Sequence, residues 1–146
     1  MRISTRGRYS LEALLFIALV QDAESIVSAH LISEKTGISY GYLEQLFIPL
    51  KRTRIIKGSR GAKGGYRIAS DLDKITVGDI LRSVENSLKD SSRPDSAVRQ
   101  DISNPIPKVK ETWAELHDTI SGFIDSLTLA DVVSSYHKMN DGEYMI

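Results

Sequence analysis

The stretch that decides the fold is RIIKGSRGAKGGYRIA, residues 54–69. Its isoleucines and its tyrosine favour strands over residues 55–59 and 65–69, with a glycine-rich tip between them. Glycine lets a backbone approach a phosphate or enter a narrow minor groove, and the negative potential of that groove attracts Arg60 and Lys63 at the tip. The sequence therefore predicts a basic β-hairpin suited to a polyanion.

Two other interpretations of the hairpin compete with this one. A nucleotide-binding phosphate loop fits poorly, because the sequence has neither G-x-x-x-x-G-K-[ST] nor G-x-G-x-x-G, and no βαβ unit surrounds the glycines. The second interpretation is an ordinary solvated hairpin, which accounts for the glycines but gives the basic residues no role. Residues 51–67 contain seven Lys or Arg and no Asp or Glu, which favours a binding role.

The charge of the whole chain is unevenly distributed. The 146 residues have a formal net charge of zero, and 41% of them are hydrophobic. Residues 1–67 contain 11 basic and 5 acidic residues, whereas residues 68–146 contain 8 and 14. This asymmetry predicts a basic face for a polyanion and an acidic remainder that keeps the protein soluble.

The segments before the hairpin predict helices. Apolar spacing indicates one helix over residues 10–21 and another that begins at a Ser28 cap, runs to about Lys35 and turns Leu31 and Ile32 inward. Gly37 supplies a tight turn, and Ser39 caps a third helix whose apolar positions recur to residue 50. A helix-turn-helix pattern is weak alone, but a basic hairpin directly after it indicates a winged helix.

The second half of the sequence predicts two further helices. Thr76 and Asp79 have the spacing of a capping box before an apolar face over residues 77–88, and this helix should close the winged domain. Pro107 suits the first turn of a long helix with an apolar stripe. Periodicity leaves open whether this stripe packs on the protein's own core or on a partner. The stripe consists of Val109, Trp113, Leu116, Ile120, Phe123 and Leu127.

The expected fold is mostly α with a small β-hairpin, a winged helix-turn-helix domain followed by a long helix. We expect residues 1–88 to form the DNA-binding domain and residues 89–107 a loop. Residues 108–146 should form the long helix and a C-terminal helix or tail.

Three segments resemble one family. MRISTRGRYSLEALLFIAL at residues 1–19, ISYGYLEQLFIPLKRTRIIKGSRGAKGGY at 38–66 and ITVGDILRSVE at 75–85 look like the winged-helix bacterial transcription regulators that include IscR, NsrR and CymR. The later LTLADVVSSY and DGEYM are more similar to the cysteine-metabolism repressors of the CymR type. The resemblance implies that the long helix is the dimerisation helix and that the stripe from Val109 to Leu127 forms the homodimer interface. It also implies a repressor that binds pseudo-palindromic double-stranded DNA, and a cysteine-biosynthetic enzyme as a further partner.

The predicted DNA contacts lie on the third helix, the hairpin and the N-terminal segment. Gln45 is the best base reader, because its amide can pair bidentately with adenine. The resemblance implies that Glu44 helps to set sequence choice, that Arg60 is the wing arginine and that Gly41 replaces a contacting side chain. Lys63 and the amides of residues 61–65 should meet the phosphate backbone. The full set is Arg2, Thr5, Arg8, Tyr9, Ser39, Tyr40, Tyr42, Glu44, Gln45, Lys51, Arg60, Gly61, Ala62, Lys63 and Gly64.

No cofactor is expected. The cluster-binding relatives hold iron and sulfur through three cysteines in a loop that corresponds to residues 89–107, and this sequence contains no cysteine. Without those ligands the cluster chemistry of such relatives does not carry over, and no metal site is expected.

Catalysis is not expected either. His30, His117 and His137 lie on three different predicted helices, and no H-E-x-x-H motif occurs. The apolar run at residues 13–20 is too short to span a membrane, and we expect a cytoplasmic protein. The alternative to a DNA-binding regulator is a protein-interaction adaptor that uses the winged helix as a scaffold, because fold alone does not decide function.

Overall fold

A computed structural model describes residues 4–21, 25–85 and 107–143 of the chain. Three helices precede a two-stranded hairpin, and helices follow it, as the sequence predicts. The elements are α1 (Thr5–Val20), α2 (Ala29–Thr36), α3 (Tyr40–Arg52), β1 (Ile56–Ser59), β2 (Gly65–Ile68), a short 3-10 turn (Leu72–Lys74), α4 (Val77–Val84), α5 (Pro107–Ser126) and α6 (Leu129–Glu143).

The predicted helix caps are confirmed. The side chains of Ser28 and Ser39 accept hydrogen bonds from the first turns of α2 and α3, and Gly37 ends α2 with a positive φ of 76°. Thr76 and Asp79 form a reciprocal capping box at α4. These caps satisfy backbone N–H groups that have no partner within the helix.

The hairpin is antiparallel, with Ile56 opposite Ile68 and Ser59 opposite Gly65. Each strand is one residue shorter at its outer end than the sequence predicts. The pairing nevertheless continues there, because the Ala69 N–H donates to the Ile55 carbonyl over 2.9 Å. A bridge to Val27 attaches the hairpin to the segment before α2.

The main core lies among α1, α2, α3, α4 and the hairpin. Leu14, Ile32, Leu43 and Phe47 are fully buried in it, and each such side chain contributes roughly 1.5–3 kcal/mol relative to an exposed one. The prediction that Leu31 points inward is wrong, because Leu31 is 37% exposed. Helix α2 has only two turns and buries only the Ile32 face.

Helices α5 and α6 pack on the winged helix-turn-helix domain at their junction. The Val77 N–H donates to the Leu127 carbonyl, and the Leu129 N–H donates to the Ile75 carbonyl, each over 2.8 Å. A small second cluster is formed by Val77, Leu81 and Ile124. The domain limits predicted at residues 88 and 107 stay predictions. Leu88 and nearly all of the predicted loop lie outside the described residues.

Candidate DNA-binding surface

Helix α3 has one buried face and one exposed face. Leu43, Leu46, Phe47 and Leu50 recur at helical spacing and are buried. Gly41, Glu44, Gln45 and Ile48 recur on the opposite face and are exposed. An anchored helix with an exposed polar face is the geometry that enters a major groove.

The first turn of α3 holds Tyr40 and Glu44 together. The Tyr40 ring stacks on His30 with ring centroids 4.7 Å apart and an interplanar angle of 18°. A hydrogen bond from the Tyr40 hydroxyl to the Glu44 carboxylate raises the pKa of Tyr40, and the negative charge of Glu44 adds to this shift. Tyr40 and Glu44, two of the predicted DNA contacts, therefore lie next to each other on α3.

Two other predicted DNA contacts, Tyr9 and Tyr42, pack against each other and are only partly exposed. Tyr9 on α1 and Tyr42 on α3 pack edge to face, with ring centroids 5.7 Å apart, and both are half-buried against the main core. Their rings hold α1 and α3 together, so any contact with DNA is restricted to their exposed parts.

The tip of the hairpin is a closed turn. Gly61 has a φ of 105°, a conformation that side chains rarely adopt, and the Gly64 N–H donates to the Gly61 carbonyl over 2.9 Å. This bond occupies the Gly64 N–H within the turn, and the contact of the Gly64 amide with phosphate stays a prediction. Arg60, Ala62 and Lys63 are exposed around the turn.

Tyr66, which the sequence analysis did not assign to the site, joins the hairpin to α3. Its ring packs against Phe47 with centroids 4.4 Å apart, and the Lys51 Nζ lies 5.7 Å above it. Burial raises the pKa of Tyr66, and the negative charge of Glu44 raises it further. Glu44 acts on both Tyr40 and Tyr66, so the exposed face of α3 and the hairpin lie side by side. The only signal for this role was the position of Tyr66 in the GGY motif.

The N-terminal contacts are partly described. Arg2 lies outside the described residues, whereas Thr5 and Arg8 are exposed in the first turn of α1. Arg8 Nε lies 3.1 Å from the Glu12 carboxylate in an exposed ion pair. Because such pairs contribute little to stability, Arg8 is available to exchange this partner for a phosphate.

The apolar stripe of α5 is largely uncovered within one chain. Trp113 and Phe123 are 63% and 62% exposed, and Val109 and Leu116 are also exposed. Ile120 is half-buried. Leu127 differs from the rest, since it follows the last residue of α5 and packs on the chain's own second cluster. Ile124, which is not part of the predicted stripe, is buried.

One spacing in the sequence is shared with hydrolases. Residues 37–41 read GISYG, which fits the G-x-S-x-G pattern of a nucleophile elbow. Here Ser39 follows a helix instead of a strand, and its Oγ caps α3 by accepting from the Tyr42 N–H over 3.3 Å. The pattern is a helix cap at this position.

A capped helix-turn-helix, an exposed polar face on its second helix and a basic wing beside it define a winged-helix transcription regulator. The model of the Rrf2 family, described as an iron-dependent transcriptional regulator, matches residues 3–135. The chain belongs to the Rrf2 family, and it is a DNA-binding transcription regulator.

Similar proteins cover almost the whole chain. The HTH-type transcriptional regulator CymR of Bacillus subtilis (strain 168) is 36% identical over 143 residues, which are 98% of this chain and 94% of that protein. The HTH-type transcriptional regulator IscR of Escherichia coli O1:K1 / APEC is 33% identical over 140 residues, 96% of this chain and 85% of that protein. A solved structure of CymR, named the global cysteine regulator of B. subtilis, superposes with a TM-score of 0.74 at 36% identity. The match covers 92% of this chain and 98% of that one.

The iron dependence in the family description does not fit the residues of this chain. Iron-sulfur clusters are held mainly by cysteine thiolates, and the sequence contains no cysteine. Within the described ranges, no three His, Asp or Glu side chains are grouped so that they could hold a metal ion.

Helices long and apolar enough to cross a membrane are also missing from the described part of the chain.

Proposed function

We propose that this protein is a homodimeric repressor that binds a pseudo-palindromic operator in double-stranded DNA and works without an iron-sulfur cluster. It regulates genes of cysteine and sulfur metabolism and is located in the cytoplasm. It has no enzymatic activity. A cysteine-biosynthetic enzyme is the proposed protein partner.

The observation that carries the DNA-binding proposal is the position of the basic wing beside the exposed face of α3. Gln45 and Glu44 then face the base edges, and Arg60 enters the neighbouring minor groove. Lys51, Lys63 and Arg8 meet phosphates and fix the register of the protein on the duplex.

The exposed stripe of α5 supports the homodimer. Large aromatic side chains such as Trp113 and Phe123 are enriched at interface centres, and a second copy of the same helix would cover them. A twofold dimer presents two recognition helices about one helical turn of DNA apart, which matches a pseudo-palindrome.

The pathway is proposed from similarity. CymR of B. subtilis is named a global cysteine regulator, and it matches this chain in sequence and in structure over nearly the full length of both. IscR is almost as similar in sequence, but the absence of cysteine favours the CymR-type role.

The test is selection of binding sites from a random DNA library, followed by affinity measurement at several salt concentrations. We expect a pseudo-palindrome with half-sites about 10 base pairs apart. Affinity should fall steeply as salt rises, because each phosphate contact releases counterions. Sites located in the host genome should lie upstream of sulfur-assimilation genes, and an unrelated set of genes would overturn the pathway.

The adaptor alternative predicts a different result. A mostly apolar protein contact weakens little with salt, and an adaptor selects no DNA sequence. Absence of both an enriched sequence and a steep salt dependence would overturn the DNA-binding proposal.

A further inference from the structure

Glu85, directly after α4, holds the beginning of α1. Glu85 is 5% exposed, and its Oε1 accepts hydrogen bonds from the Ser4 and Gly7 N–H groups, each over 3.0 Å. The Ser4 hydroxyl donates to the same oxygen. These bonds join residues about 80 positions apart and lie where α1 begins.

The fit between these residues is tight. A Cβ on Gly7 would lie 2.8 Å from the Glu85 Oε1 and 2.8 Å from the Leu81 Cδ2, so a side chain at this position would force the carboxylate or Leu81 to move. Arg6 Nε adds a bond of 3.2 Å to the Val84 carbonyl. A carboxylate is also favourable at a helix N-terminus, because it meets unpaired N–H groups and the positive end of the helix dipole.

We propose that Glu85 is a positioning residue for DNA binding, which fixes the first turn of α1 so that Thr5 and Arg8 meet the phosphate backbone. This inference rests on the proposed DNA-binding function. Thr5 and Arg8 are exposed on the turn that Glu85 holds, and Arg8 directly follows Gly7. Because the turn that carries Thr5 and Arg8 is held in one orientation, these side chains lose less conformational entropy when they bind DNA.

The same geometry determines how α1 contacts DNA. The Glu85 carboxylate already accepts from the N–H groups at the start of α1, and its negative charge repels a phosphate at that point. The helix N-terminus is therefore not itself the phosphate site, and the contacts come from the side chains of Thr5 and Arg8.

The test measures DNA affinity against salt for Glu85→Ala, Arg8→Ala and the double variant. Arg8→Ala should lower the slope of log affinity against log salt by about one per subunit, which is about a tenfold loss of affinity per subunit at 0.1 M salt. Glu85→Ala should reproduce most of this loss in slope and affinity. The double variant should bind about as well as Arg8→Ala alone, because Glu85 acts through the same contacts.

Ser83→Ala is the matched control for stability. Ser83 is buried on α4 two residues before Glu85, but its hydroxyl bonds to the Asp79 carbonyl and to Thr53, away from α1. Ser83→Ala should therefore lower thermal stability and leave the salt slope unchanged. Glu85→Gln keeps an acceptor oxygen and should restore the parent slope.

Several outcomes overturn the inference. One is a parent-like salt slope for folded Glu85→Ala. Another is an additive loss of affinity in the double variant, and the third is a slope for Glu85→Gln as low as that of Glu85→Ala. If Glu85→Ala does not fold, Ser4→Ala removes the hydroxyl donor to Glu85 together with the Ser4 cap that accepts from the Arg6 N–H, both of which hold the start of α1. A parent-like slope for Ser4→Ala then overturns the inference, and a reduced slope supports it. If the parent itself shows no steep salt dependence, the proposed function fails instead.

Discussion

At the scale of single residues, Gln45 is the side chain best placed to read a base. It lies on the exposed face of α3, and its amide presents a donor and an acceptor side by side, as adenine requires. Gln45→Ala should relax discrimination at one base position of the selected site by roughly 1–3 kcal/mol. Affinities for the site and for each single-base variant measure this effect. Unchanged discrimination at every position would remove Gln45 from base reading.

The two basic residues of the wing tip should behave differently. Lys63 is a point charge near phosphate, so Lys63→Ala should lower the salt slope by about one per subunit and leave sequence preference intact. Arg60→Ala should reduce affinity most for sites with A·T-rich flanks, because the narrow minor groove there has an enhanced negative potential. Binding titrations over several salts and two flanking sequences separate the two effects.

Lys110→Ala is the control for both wing variants, since Lys110 is exposed on α5 outside the proposed surface. It should change neither the slope nor the preference. If both wing variants bind DNA as the parent does, the hairpin is an ordinary solvated one that does not contribute to DNA binding.

Residue roles that depend on near neighbours were predictable, and those that depend on distant ones were not. The caps at Ser28, Ser39 and Thr76 follow from sequence, because each bonds an N–H within three residues. The roles of Glu85 and Tyr66 depend on contacts with Ser4 and Phe47, which only the folded chain brings near. No local pattern around Glu85 signals a buried acceptor.

At the scale of elements, α5 provides the test of assembly. Ile120→Asp with Phe123→Asp should yield monomers that bind DNA weakly, because two carboxylates would have to be buried without partners in the interface. Sedimentation at micromolar concentration measures the oligomeric state. A double variant that stays dimeric would place the interface elsewhere.

The chain offers a matched control on the same helix. Ala114→Asp with Gly122→Asp adds the same two charges on the side of α5 away from the stripe, where both positions are exposed and a side chain at Gly122 meets nothing within 4 Å. This variant should remain a dimer. Its dissociation would show that added charge alone separates the subunits.

The type of most elements was predictable, but some limits and the surroundings of α5 were not. Helix α1 begins at Thr5 instead of residue 10, and α4 ends at Val84 instead of continuing to residue 88. Pro107 and the apolar stripe predicted one long helix, and α5 begins at Pro107. Periodicity did not distinguish Phe123, which is exposed, from Ile124 and Leu127, which pack on α4. That distinction depends on the angle at which α5 crosses the domain, and a pattern of apolar residues does not encode it.

At the scale of the whole molecule, the composition makes a prediction about metal content. The purified protein should be colourless and should contain no stoichiometric iron or sulfide, because the chain has no cysteine to hold a cluster. Metal analysis and the visible absorption spectrum after desalting measure this. Absorption that survives desalting, together with stoichiometric iron, would require a site built from nitrogen and oxygen ligands.

The winged domain and α5 are joined by an ion pair that sequence alone did not indicate. Arg82 lies on α4, and its two terminal nitrogens donate to the two carboxylate oxygens of Asp125 on α5 over 2.6 and 2.8 Å. The hydrogen bonds from Arg82 lower the pKa of Asp125 from its ordinary value of 3.8, against a smaller opposing effect of burial. The junction of the two parts is therefore sensitive to acid.

The sign of this effect follows from the lowered pKa. Folded Asp125 binds a proton less readily than the unfolded chain does, so the pair stabilises the fold above pH 3.8 and loses its contribution as pH falls through the lower folded value. Asp125→Asn should thus lower the free energy of unfolding at about pH 7 by up to about 1 kcal/mol, since the pair is partly exposed. The difference from the parent should shrink as the pH falls below 3.8.

Unfolding by urea, followed at a series of pH values for the parent and Asp125→Asn, measures that difference. The pKa of Asp131 is also lowered, by hydrogen bonds from Thr128, but this group titrates in both proteins and its contribution cancels. Asp118→Asn is the control, because the Asp118 side chain is 86% exposed on the same helix, and it should leave stability nearly unchanged at every pH. A destabilisation by Asp125→Asn that stays constant down to about pH 3 would mean that shape, and not charge, joins α4 to α5.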